Sequence, residues 1–148
     1  VLGSVATLMG AVLGGLLTRS FGRYQAMLGF GLLQAIGLAG YAILSWQWHS
    51  TGQLSPLLVY TVNAFEHFAS GLATVALLSA VMDQCRRDHA GSDFTVQVSV
   101  LAIFGGSAGL IAGLVADLIG YTAYYLLSAS IAVLLLWPVV LWGRWLRR

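Results

Sequence analysis

Lysine is absent from this chain of 148 residues, glutamate occurs once, at Glu66, and charged residues make up only 8%. A soluble domain carries roughly 25% charged residues to hold its surface in water, so a water-surrounded globule is excluded. Cysteine occurs once, at Cys85, which rules out an intrachain disulfide and leaves the redox compartment open. No G-x-x-x-x-G-K-[ST] phosphate loop is present, and His49, His67 and His89 fall on three separate segments. ATP hydrolysis and a metal site are therefore not indicated, and no cofactor is expected. No basic stretch followed by a short apolar core opens the chain, so nothing in it reads as a cleaved signal peptide.

What the chain does contain is apolar: 59% of its residues are hydrophobic. Five segments, near 2–18, 26–46, 56–82, 94–116 and 121–142, are long enough to cross a ~30 Å hydrocarbon layer, which takes about 20 helical residues. Leu110-Ile111-Ala112-Gly113-Leu114-Val115 and Val133-Leu134-Leu135-Leu136 are unbroken apolar runs, unlike the alternating strands of a membrane barrel. Inside lipid a helix satisfies its own backbone, so these runs predict helices. The expected fold is all-α: a polytopic membrane bundle of five transmembrane helices, the lipid bilayer its solvent. The third span exceeds the need, which predicts tilt or protrusion.

All seven arginines fall in three places: Arg19 and Arg23 after the first span, Arg86 and Arg87 after the third, Arg144, Arg147 and Arg148 after the fifth. This distribution does not form one soluble basic face, so the net charge of +2 does not point to nucleic acid. Arginine-rich short loops stay cytoplasmic, so the first span is expected to run inward and the C-terminus to be cytoplasmic. Trp46, Trp48, Tyr121, Tyr124 and Tyr125 at one level, and Trp137, Trp142 and Trp145 at the other, read as interfacial anchors. Pro138 predicts a kink near the inner end of the last span.

Glycine is abundant, at 18 residues, and regularly placed. Gly105, Gly109 and Gly113 in the fourth span, and Gly10 and Gly14 in the first, form stripes that let another helix approach closely. Both spans also end alike: Gly15-Leu16-Leu17-Thr18-Arg19-Ser20-Phe21-Gly22 is echoed by Gly113-Leu114-Val115-Ala116-Asp117-Leu118-Ile119-Gly120. The two spans cross in opposite directions, as three-helix units of inverted topology do in secondary transporters.

Glu66 lies about ten residues into the third span, where a charged side chain costs roughly 2.5–3.5 kcal/mol on insertion scales. Such a group faces the bundle interior or a watery cavity. Asn63, Ser70 and Thr74 share its helical face and are expected to line a translocation path with it. Because an anion is costly there, Glu66 is expected either to exchange a proton during transport or to stay protonated in a hydrogen bond between helices. His67, rotated about 100° from Glu66, is expected to face elsewhere and bond another helix. Gln34, midway along the second span, either lines the cavity or bridges two helices. Asp93 is expected to cap the fourth span or to act at the cytoplasmic gate, and Asp117 to cap or gate the outer mouth. Asp83, Arg86, Arg87 and Asp88 read as a solvated loop network.

Gly15-Leu16-Leu17-Thr18-Arg19-Ser20-Phe21-Gly22-Arg23 resembles the loop motif G-x-L-x-D-R-x-G-R-[RK] of the major facilitator superfamily. Gly15, Leu17, Gly22 and Arg23 match; Arg19, Ser20 and Tyr24 depart from it, which puts a gating role of this loop in doubt. The resemblance implies spans 8–12 of a twelve-span fold: residues 1–148 form part of its C-terminal half, and the missing N-terminal half is a partner. Glu66-His67-Phe68-Ala69-Ser70-Gly71-Leu72-Ala73-Thr74 looks like the E-x-x-x-x-G-x-x-T stretch of AmpG-like muropeptide permeases. Ala90-Gly91-Ser92-Asp93-Phe94-Thr95-Val96-Gln97 is more like siderophore permeases of the pyochelin and rhizobactin type. These likenesses imply a secondary permease of the bacterial inner membrane that imports a small solute, with an iron-siderophore favoured over a muropeptide. An intramembrane enzyme using Glu66 or Asp93 is not expected, because the polar stripe is too sparse. A non-transporting membrane subunit would also fit the glycine stripes.

Overall fold

Lipid offers a backbone no hydrogen bonds, so each apolar run must close its own. The computed structural model describes residues 1–145 and is built almost wholly of helices. These are α1 (Leu2–Phe21), α2 (Arg23–Thr51), α3 (Pro56–Asp83), α4 (Ala90–Ile119), α5 (Tyr121–Leu134) and α6 (Leu136–Trp145), with a 3₁₀ turn at Arg87–His89. No strand occurs among the described residues. Five stretches are long and apolar enough to cross a membrane, α5 and α6 together supplying the fifth. The protein is an all-α membrane helical bundle. Arg147 and Arg148, and the side chains of Arg144 and Trp145, lie outside the described residues.

α2 and α4 run to 29 and 30 residues, as long as the 28 of α3. Their polar flanks, Gln47–Thr51 and Ala90–Asp93, continue the helices past the apolar stretches that mark the spans in sequence. The fifth span is interrupted at Leu135, three residues before Pro138. Proline has no N–H, and its ring crowds the carbonyl four residues back, so α5 stops at Leu134 and α6 begins at Leu136.

α1 and α3 run parallel in close contact, α2 bridges α3 to α5, and α4 meets its neighbours sparsely. Small residues make the first contact possible. A Cβ on Gly10 would strike the Phe68 carbonyl oxygen, one on Gly14 would lie 3.0 Å from Leu72 Cα, and one on Gly71 would strike the Thr7 carbonyl oxygen. Leu72 and Ala76 of α3, with Ala26 and Phe30 of α2, form the buried core beside them. The stripe on α4 behaves otherwise. Gly105, Gly109 and Gly113 meet nothing within 4 Å, and Ala116 is the one buried residue of that helix. The expectation that this stripe packs tightly is therefore not met among the described residues, because no helix there lies opposite it.

The repeated helix ends adopt one geometry. Gly22 has φ 83° and ψ 151°, Gly120 φ 82° and ψ 149°, a region essentially closed to residues with a Cβ. Each donates its N–H four residues back, to Thr18 or Ala116, and accepts from the N–H four residues on, of Ala26 or Tyr124. One residue thus ends one helix and starts the next. Arg23 pairs with Asp83 and Tyr24 packs against Gly143, so the arginine-bearing α1–α2 and α3–α4 connections share one end of the bundle with α6.

Candidate functional site

Glu66 stands ten residues into α3, about 15 Å along its axis at 1.5 Å per residue. α2 comes close at this level because Gly37 carries no side chain: a Cβ there would sit 3.0 Å from Glu66 Cα. One turn earlier on α2, Gln34 Nε2 donates to Glu66 Oε1 at 2.8 Å. Gln34 therefore bridges two helices. The Glu66 side chain is only 15% exposed.

The second carboxylate oxygen faces His67. Its Nδ1 lies 2.9 Å from Glu66 Oε2, at an angle that leaves this buried nitrogen without an aligned hydrogen bond. Sequence spacing pointed the ring away; the structure corrects this. Gly3 of α1 lies under the imidazole, where a Cβ would fall 2.5 Å from Cδ2, so the ring fills the α1–α3 seam and turns its Nδ1 edge toward the preceding side chain.

Asn63 extends the polar path in the other direction. Its Nδ2 donates to Tyr41 Oη at 3.0 Å, and the Tyr41 ring stacks on Tyr125 of α5 at 5.2 Å between centroids. Tyr124 meets Tyr125 edge-on at 5.4 Å. Tyr125 is thus packed between helices as well as near an interface, with Tyr124 beside it on α5, whereas Trp46, Trp48 and Tyr121 stay exposed as anchors do. Ser45 and Thr122 tie the same two helices at 2.8 Å. Beside them lies a cavity of about 450 Å³ walled in part by Tyr41, Trp48, His49, Tyr121 and Tyr125.

The path therefore crosses between helices instead of running down α3. Ser70 is half-buried and Thr74 exposed, and neither side chain joins the Glu66 network. Tyr41 was not singled out from sequence, and Tyr125 was read there as an interfacial anchor alone. A signal existed: Gln34, Gly37, Tyr41, Ser45 and Trp48 recur at three- and four-residue steps along one face of α2.

At the basic end, Asp93 does not cap α4. The N-cap is His89 and no side chain bonds the free N–H groups there. Asp93 lies in the first turn of the helix, beyond the cap position, and clamps Arg86 instead: Nε donates to Oδ2 at 2.9 Å and Nη2 to Oδ1 at 2.8 Å, while the Arg86 backbone N–H also reaches Oδ2. These bonds hold the Arg86 guanidinium above its ordinary pKa. Arg23 Nε meets Asp83 Oδ2 at 2.6 Å, joining the start of α2 to the end of α3. The loop network read from sequence does not form as such: Asp83 pairs with Arg23 and Arg86 with Asp93, while Arg87 and Asp88 join neither pair. Gly15, Gly22 and Arg23 wall a cleft of about 270 Å³ at this end. Asp117 is exposed near the far end of α4, whose C-cap is Gly120.

A carboxylate hydrogen-bonded by a neutral amide thus joins α2 to α3 at membrane depth, beside an imidazole. No family model matches the chain, and no solved structure matches it. It is 30% identical over 135 residues to the anhydromuropeptide permease of Escherichia coli (strain K12), covering 89% of this chain and 26% of that protein. It is 22% identical over 131 residues to a protein of Rickettsia conorii named as a transporter, AmpG 4, covering 88% of this chain and 30% of the relative. The chain spans about a quarter of the length of the curated relatives it matches first. Five apolar helices make this a multi-pass membrane protein, and along most of its length it is similar to proteins named as permeases or transporters.

Proposed function

We propose that the chain is part of a secondary permease of the major facilitator superfamily which carries a muropeptide-like solute across the bacterial inner membrane, with its basic end cytoplasmic. The carrying observation is Glu66, held by Gln34 at membrane depth, in a chain similar along 89% of its length to an anhydromuropeptide permease. A buried carboxylate has no packing value of its own and is costly to keep in lipid; exchange of a proton with the transport cycle gives it a purpose. Asn63 and Tyr41 give the passing solute polar groups that are already aligned, and the aromatic cavity beside Tyr41 offers a broad apolar wall. The protein is a carrier and not a catalyst in this reading.

The siderophore reading loses ground here, since the relatives' names speak of muropeptides. Uptake of labelled anhydromuropeptide and of an iron-siderophore, in a strain lacking its own permeases and expressing the intact protein, tests the choice. Accumulation of the muropeptide alone is expected, and accumulation of the siderophore alone would overturn it. Glu66→Gln in the same strain is expected to flatten the pH dependence of uptake. Wild-type uptake with an unchanged pH profile would remove the proton from the mechanism.

A further inference from the structure

We propose that the cleft at the basic end, walled by Thr18, Arg19, Gly22, Arg23 and Ser79, binds the phosphate of an anionic membrane lipid. The cleft holds about 270 Å³, several times the ~30 Å³ share of a water molecule. Its charge is not cancelled from within. Arg23 is paired with Asp83, whereas Arg19 has no acidic partner among the described residues. α1 and α3 end here and α2 begins here. The C-terminal ends of α1 and α3 each bring roughly half a negative charge and the N-terminal end of α2 half a positive one, and two guanidiniums against one carboxylate still leave the cleft positive.

A second observation is independent of charge. Thr18 is 5% exposed and its hydroxyl has no hydrogen-bond partner. The Ser20 and Ser79 hydroxyls behave differently, donating to the Leu16 and Val75 carbonyls of their own helices. A buried hydroxyl left unpaired beside two arginines is a donor waiting for an acceptor. The start of α2 adds to the same preference: its N-cap, Gly22, offers no side-chain acceptor and the first turn contains no acid.

The membrane lipid is favoured as the source because the cleft sits where charge gives way to oil. Leu16 and Phe21, on the same last turns of α1, are exposed and present an apolar flank on which acyl chains can lie. Basic pockets between membrane helices take anionic headgroups in this way. The residue that makes the cleft positive is Arg19, so the site depends on a side chain with no structural bond to lose.

Native mass spectrometry of the intact protein, purified in mild detergent, tests this with phosphatidylglycerol, a neutral phosphate-free glycolipid and inorganic phosphate as probes. Wild type is expected to retain phosphatidylglycerol and not the glycolipid. Arg19→Gln is expected to bind phosphatidylglycerol about fivefold more weakly, the worth of one arginine at an anionic surface, while Arg87→Gln, at another exposed arginine, is expected to bind as wild type does. Displacement of the lipid by inorganic phosphate supports the phosphate chemistry of the site. Binding of phosphate without the lipid overturns the lipid as source. Equal loss in both variants, or retention of glycolipid and phosphatidylglycerol alike, overturns the site. Thr18→Val, which keeps the shape and deletes the hydroxyl, is expected to weaken lipid retention without altering the helix content.

Discussion

Replacing Gly71 by alanine adds one methyl group where two backbones already touch. The new Cβ would strike the Thr7 carbonyl oxygen and lie 2.9 Å from the Ala11 nitrogen, both main-chain atoms of α1. Neither can rotate aside, so α1 must retreat by roughly an ångström to recover van der Waals separation. The retreat also opens the neighbouring contacts of Gly10 with Phe68 and of Gly14 with Leu72, and lifts Gly3 from the His67 ring. Overpacking of this kind costs about 1–3 kcal/mol, which raises the unfolding constant about 5- to 150-fold. Gly109→Ala is the matched control: the same methyl group, on a glycine of α4 that meets nothing within 4 Å, is expected to change stability by less than about 0.5 kcal/mol. Reversible unfolding of both variants in mixed micelles reads the difference. If Gly71→Ala costs no more than Gly109→Ala, the close α1–α3 contact is not what holds these helices together.

Gly22→Ala and Gly120→Ala are each expected to cost about 1–3 kcal/mol in the same measurement, since both force a Cβ into glycine-only backbone; Gly91→Ala, which has an open surrounding, is expected to be near neutral. Tyr41→Phe removes the acceptor of Asn63 and is expected to cost about 0.6 kcal/mol, an average value for a hydrogen bond between membrane helices. Adding Asn63→Leu to it should recover part of that loss, and a double-mutant cycle without coupling would refute the bond. Pro138→Ala restores the missing N–H, so α5 and α6 are expected to merge; spin labels at 126 and 141 should then report a longer, narrower distance distribution, and an unchanged one would show that the break has another cause.

The five spans and the absence of strands were legible because length and unbroken hydrophobicity leave a backbone in lipid few choices. The likeness of the two span ends was legible too, in glycines at Gly22 and Gly120 each seven residues beyond another; that both adopt a backbone closed to side chains was not. The site was less so. Glu66 stood out through its cost, but its partner Gln34 comes from 32 residues away, and no periodicity within α3 can announce a group on α2. His67 was misplaced because helical angles describe where a Cβ points, and a ring pressed by Gly3 need not follow. The stripe of Gly105, Gly109 and Gly113 shows the limit most clearly. Small residues state that a helix is able to come near, and only the neighbour decides whether one does. Asp93 failed as a cap through a boundary shift: α4 starts at Ala90, one turn before the apolar run that the sequence shows.

The corners at Gly22 and Gly120 have a mechanical result. A joint one residue long has no slack to pay out, so α1 cannot slide lengthwise past α2, nor α4 past α5. What remains open to each pair is a swing, like two rods sharing a pin. The two pins sit at opposite faces of the bundle.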